Sequence, residues 1–293
     1  RIKPERKSKL LAAIAGIKHE CVLTASQAGS LRGKLYFSCT TAYGKVGRAA
    51  LQSFMERQYS KDKHLHPQLL ATLDFFEELL SDMPPRYVEL DHNKRVRLLV
   101  WSDAMYNMTT RKGRLGWVVY DPEAGRFFHS SWEVPDWIFD MFVFKKQYIA
   151  QLEILAAIAV YFSLPRSMTQ HREIIHFIDN TGAISSLLHG TSRKPDNTLL
   201  VNVFHMFNAG LQARPFWQYV ASAANIADMP SRNDFELLSA LNSSFMPSII
   251  PPTDVWFKPL KFWLCAFHST KRLRKQNAVS SARKKAHARH VSR

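Results

Sequence analysis

The chain has 293 residues, 46% of them hydrophobic and 12% aromatic, and a formal net charge of +16. That is enough apolar material for one large or two modest domains. No apolar run approaches the ~20 residues of a membrane span. Three widely spaced cysteines (Cys21, Cys39, Cys265) and twelve scattered histidines exclude a disulfide framework and a paired-cysteine zinc motif, and point to an intracellular, reducing compartment. There is no secretory signal, and a chain that begins at Arg1 is expected to be a fragment, a processed product or a sequence read without its true start.

Residues 1–88 read as a helical segment. Ser8–Ile17 is short and apolar-periodic, and Thr24 or Ser26 can cap a helix carrying Leu31, Leu35 and Phe37. Gly44–Gly47 breaks it. Ala49–Tyr59 and Pro67–Leu80 are two further amphipathic stretches, and Met83-Pro84-Pro85 closes the block as a domain boundary.

The period then changes. Val96–Trp101 reads as a strand closing in Ser102-Asp103-Ala104, Leu115–Tyr120 as a second, and Arg126–Trp132 as a third, with a Pro-Gly turn at 121–125. Short connections make these an antiparallel meander. Gln147–Phe162 predicts a helix stopped near Pro165. Ile174–Ile178 is a fourth strand ending in Asp179, Ala183–Leu188 a short helix, and Asp196 or Asn197 a cap for a helix through Leu211. Pro215–Val220 is a fifth strand. The prediction for residues 89–238 is an α/β domain with a mixed five-stranded sheet and flanking helices. Residues 239–293 form a Pro- and aromatic-rich extension and a basic tail.

Four carboxylates fall where this fold can gather them. Asp103 and Asp179 end strands that share a sheet edge if the two run parallel. Helical spacing puts Glu153 in an apolar stripe with Ile149, Ala156, Ala157 and Val160, a costly place for a carboxylate unless it is paired or metal-bound. Asp228 follows the fifth strand. Each has a simpler reading, as turn residue, stripe margin or helix cap. Together they repel one another and call for a hard divalent cation, Mg2+ or Mn2+. Two such ions ~3.5–4 Å apart can activate water and stabilise the leaving oxygen in phosphodiester hydrolysis.

The words Trp101-Ser102-Asp103-Ala104, Gln151-Leu152-Glu153, Phe177-Ile178-Asp179-Asn180 and Ala224-Asn225-Ile226-Ala227-Asp228-Met229-Pro230-Ser231-Arg232 resemble the ribonuclease H domain of retroelement reverse transcriptases, most of all those of DIRS-type elements. The resemblance covers about residues 95–235. The preceding words Leu31-Arg32-Gly33-Lys34-Leu35 and Gly47-Arg48-Ala49-Ala50-Leu51 look like the thumb-to-connection region of such polymerases. The resemblance implies a ribonuclease H-like fold, a substrate that is the RNA strand of an RNA–DNA hybrid, and two ions. Asp103 would bridge them, Glu153 and Asp179 would hold the leaving-group ion, and Asp228 would complete the nucleophile-side ion. The polymerase Tyr-x-Asp-Asp core is absent, and the loop Ala221-Ser222-Ala223-Ala224 lacks the histidine that many family members carry there.

Other residues read as nucleic-acid contacts or as ordinary structure. Ser102 and Asn180 could hold a phosphate or a 2′-hydroxyl, or be polar strand ends. Arg111, Lys112 and Arg114 form a basic hairpin turn, either backbone-binding or solvated. The last 26 residues hold nine Lys/Arg and no acid, and Lys271, Arg272, Arg274, Lys275, Arg283, Lys284 and Lys285 make them a phosphate-binding arm or a solvated tail. A second function class fits the same composition: a retroelement-derived domain recruited, without catalysis, into a large ribonucleoprotein such as a mitochondrial ribosome, where ribosomal RNA and neighbouring proteins are its partners. The compartment is nucleus or cytoplasm for the first reading and mitochondrion for the second. A transposase or integrase of the same superfamily is a lesser alternative, and the Asn225–Asp228 word argues against it.

Overall fold

The computed structural model describes residues 2–41, 45–82, 96–259 and 262–263. The Met83-Pro84-Pro85 boundary, Cys265 and the basic residues Lys271 to Lys285 lie outside them. Four helices form the N-terminal region: α1 (Pro4–Glu20), α2 (Ala25–Thr41), α3 (Leu51–Gln58) and α4 (Pro67–Asp82). Pro4 opens α1 where a missing N–H costs nothing. Thr24, not Ser26, caps α2. Its hydroxyl accepts the Gln27 N–H at 3.3 Å while Gln27 Oε1 accepts the Thr24 N–H at 2.9 Å, a reciprocal capping box. Leu10, Ile14, Leu31, Leu35, Phe54 and Phe76 fill the core of this region. The loop after α3 folds around the buried Arg57, whose guanidinium donates to the Asp62 and His64 carbonyls.

The rest is an α/β domain. Its strands are β1 (Leu98–Asn107), β2 (Lys112–Asp121), β3 (Arg126–Glu133), β4 (Glu173–Ile178), β5 (Arg214–Tyr219) and β6 (Ser244–Phe245), in the order β5-β4-β1-β2-β3-β6. β1–β2 and β2–β3 are antiparallel, and β1–β4, β4–β5 and β3–β6 parallel. This mixed sheet is consistent with a ribonuclease H-like fold. The sixth strand, absent from the five-stranded prediction, is two residues long, too short for any periodicity to register.

Its helices are α5 (Asp136–Phe139), α6 (Ile149–Ser163), α7 (Arg166–Thr169), α8 (Thr181–His189), α9 (Pro195–Leu211), α10 (Asp228–Ser231) and α11 (Glu236–Ala240). None of the described helices is long and apolar enough to cross a membrane. α9 starts one step earlier than its acidic residues predict. Pro195 takes the first helical position, so Lys194 becomes the cap, and Asp196 accepts instead from Lys145 Nζ at 2.5 Å and from the Val143 N–H at 3.2 Å.

Strand alternation sorts the sheet into two faces. On one, Val100, Ser102, Trp117, Ser130 and His176 point toward α6, which is buried from Gln151 to Ser163. On the other, α10 packs across β1, β2 and β3. The buried Arg172 clamps the sheet, donating to Asp121 at 2.6 Å and to the Val96 carbonyl at 2.9 Å. The helical region touches the domain where Arg48 Nη1 donates to the His189 carbonyl at 3.2 Å, at the C-terminal end of α8.

Candidate metal centre

The site is made by a mismatch in strand length. β4 pairs with β1 only as far as Trp101↔Phe177, and β1 continues to Asn107 against β2 alone. Asp103, expected to close its strand, therefore lies in mid-strand opposite Gly116, just past the point where β4 leaves. Asp179 is the first residue after β4, so the two carboxylates meet at the opening. Glu153 enters from α6, which covers the other face. Carboxylate oxygens of Asp103, Glu153 and Asp179 lie within 4.8 Å of one another.

These oxygens are largely shut away from water. Asp103 is 4% and Glu153 5% exposed, and Asp179 is half-buried. Glu153 Oε2 and Asp179 Oδ1 are buried without any hydrogen-bond partner. Burial pushes the Glu153 carboxyl well above its ordinary range, and the neighbouring charges of Asp103, Asp179 and Asp228 push it further. Burial raises Asp103 to about 6, against the lowering effect of a hydrogen bond from Ser231 and with a smaller raising effect from Asp179 and Asp228. Three crowded carboxylates with two orphaned oxygens are what a bound cation would relieve. The donors are all oxygen, which suits Mg2+ or Mn2+ and not a thiophilic metal. Asp103, Glu153 and Asp179 could thus hold a metal ion.

A comparison with protein-family models finds no match, and a comparison with curated proteins finds no significant one.

Asp228 stands beside this group and outside it. It opens α10, and its Oδ1 accepts from Arg232 Nε at 2.7 Å. The loop that carries it is anchored from both ends. Asn225 Nδ2 donates to the Ser102 carbonyl at 3.1 Å, and the single hydroxyl proton of Ser231 is shared between Asp103 Oδ2 at 2.5 Å and the Asp228 carbonyl at 2.8 Å. Asn225 and Ser231 are site residues beyond those expected from the sequence. The signal available was their place in the same word as Asp228, one at each flank.

The expected nucleic-acid contacts fare unevenly. Ser102 is corrected: strand alternation turns it away from Asp103, it is fully buried, and its hydroxyl is bonded to His176 Nε2 at 2.9 Å in a chain that runs on to the Tyr161 hydroxyl at 3.2 Å. It cannot touch a phosphate. Burial lowers His176 to about 3, so this chain is neutral and structural. Asn180 is the N-cap of α8, its Oδ1 accepting the Ala183 N–H at 3.0 Å. Asn180→Ala should cost about 1 kcal/mol of stability by urea unfolding, the usual worth of such a cap. Lys112 and Arg114 both pair across the sheet with Glu133, at 3.0 and 3.2 Å. The exposed Arg111 guanidinium lies 5.1 Å over the Phe144 ring. These three cations remain near the surface, but two of them are already engaged.

Proposed function

We propose that this chain is a divalent-metal-dependent nuclease of the ribonuclease H type, hydrolysing the RNA strand of an RNA–DNA hybrid, with DIRS-like retroelement reverse transcriptases as its kin. The observation that carries the reading is the trio Asp103, Glu153 and Asp179, brought from three separate elements to within 4.8 Å with two buried oxygens unpartnered. The mixed sheet supports it, because the parallel pairing of β1 with β4 and the packing of α6 on the sheet bring the three residues together from separate elements.

In this reading divalent ions, when bound, neutralise the developing charge on a phosphodiester and lower the pKa of an attacking water. The chain's own residues do the positioning. Glu153 is fixed by a helix buried on all sides. Asp103 is held by the Ser231 hydroxyl and by a strand paired residue for residue with β2. Asp179, the most accessible of the three, follows directly on β4 at the opening between that strand and β1.

The test is cleavage of an RNA–DNA hybrid in Mg2+ by the full chain and by Asp179→Asn. Cleavage lost in the variant is the expected result. An unmutated chain that binds RNA tightly and never cuts the hybrid would sink the nuclease reading in favour of a non-catalytic RNA-binding component.

A further inference from the structure

Of the four acidic residues, three converge and one is occupied. We propose that Arg232 is a latch: it withholds Asp228 from the carboxylate centre until a substrate phosphate draws its guanidinium away. The proposal rests on the metal-dependent reading above.

The backbone of Asp228 is already in place. The Arg232 N–H donates to the Asp228 carbonyl at 3.2 Å, and the Ser231 hydroxyl shares its proton between that carbonyl, at 2.8 Å, and Asp103. What is diverted is the carboxylate, which accepts from Arg232 Nε one helical turn away at 2.7 Å. The diversion has an electrostatic consequence. Asp103, Glu153 and Asp179 with one divalent ion retain a single negative charge. Asp228 paired with Arg232 adds nothing to that balance, so a second divalent ion would leave the centre positive. Once Arg232 leaves, Asp228 supplies the missing charge and the second ion is neutralised.

Arg232 is suited to leave. Its side chain is 64% exposed, and the planar guanidinium that grips a carboxylate also grips a phosphate. The exchange couples assembly of the full centre to arrival of a polyanion. Because the pair is largely exposed, the latch is light, a bias of up to about five-fold in the second ion's affinity.

The experiment is calorimetric titration of the full chain with Mn2+, without nucleic acid, for the unmutated protein, Arg232→Gln and Glu153→Gln. One ion should bind the unmutated protein well and a second weakly. Arg232→Gln also removes a positive charge that acts on Asp103 and Asp179, so it should tighten the first slightly and the second more, by up to about five-fold. Glu153→Gln should lose the first. With an RNA–DNA hybrid in Ca2+, Arg232→Gln should also weaken binding and reduce the slope of log Kd against log salt by about one. Identical second-ion affinities in Arg232→Gln and the unmutated protein overturn the latch and leave the metal centre standing. An unmutated protein that binds no Mn2+ overturns the metal reading and the latch with it.

Discussion

Replacing Glu153 with Gln should stabilise the metal-free protein and, in the same molecule, abolish Mg2+ binding and hybrid cleavage. The two effects have opposite signs because they share one cause. Glu153 is 5% exposed, has an unpartnered oxygen and faces Asp103 and Asp179. Without a cation, folding must place an ionised carboxylate there or hold a proton on it. The folded protein therefore keeps protons on Glu153 and Asp103 at pH values where the unfolded chain, titrating near 4, has released them. Where the native state binds more protons, stability falls as pH rises. For Asp103 the decline runs from about pH 4 to about 6, and Glu153, whose carboxyl burial also raises, adds to it in the same direction. Gln removes the Glu153 share, so the metal-free variant should be the more stable of the two near pH 7. Thermal unfolding from pH 4.5 to 7.5 should show a shallower decline in the variant. Mg2+ should raise the melting temperature of the unmutated protein and leave Glu153→Gln unmoved. Loss of a ligand to the ions should reduce cleavage by roughly 10^3-fold or more. A variant less stable than the unmutated protein at pH 7 without metal would show that the three carboxylates are not in conflict.

The second large effect is expected from a residue with no side chain. Gly116 lies opposite Asp103 in β2, and α10 rests directly on it. A Cβ there would stand 2.3 Å from the Ser231 nitrogen, 2.6 Å from the Ala227 carbonyl oxygen and 2.9 Å from the Pro230 carbonyl carbon. All three are backbone atoms, so no rotamer change can make room. Gly116→Ala must lift the 225–232 loop, breaking the Asn225–Ser102 and Ser231–Asp103 hydrogen bonds together. The cost should be about 3 kcal/mol, the upper range for overpacking, with cleavage reduced along with stability. Gly125→Ala is the control. That glycine has φ +60° in the β2–β3 turn but open space around it, so alanine should cost about 1 kcal/mol and spare cleavage. Equal effects at the two positions would mean that the 225–232 loop does not depend on its seat.

The sheet was legible because strand periodicity and the Asp-Pro-Glu-Ala-Gly turn are local signals. The convergence of Asp103 and Asp179 was legible because parallel pairing of β1 and β4 carries both toward one edge, and that of Glu153 because a carboxylate in an apolar stripe needs a partner. What the sequence hid depends on register. Asp103 looks like a strand terminus, and nothing local reveals that β1 outlasts β4. Ser102 could have been set aside from alternation alone, since neighbours in a strand face opposite ways. The pairing of Lys112 and Arg114 with Glu133 follows only from the β2–β3 alignment. Asp228 is the instructive case. Its place beside the centre follows from its word, whereas its engagement by Arg232, four residues on, is a question of rotamers that competing contacts decide.

α8 is nine residues long and tied at both ends. Its N-cap, Asn180, directly follows Asp179, and at its other end the His189 carbonyl accepts from Arg48 of the helical region. Gly190, just beyond, lies so close to Lys45 that a Cβ would stand 2.4 Å from the lysine's own Cβ. A helix of this length is a stiff rod of about 13 Å. It joins the helical region, through the Arg48–His189 hydrogen bond, to the residue that directly follows Asp179. Substitutions around Lys45 and Arg48, distant in sequence from every acidic residue of the centre, should therefore be felt there as a change in ion affinity.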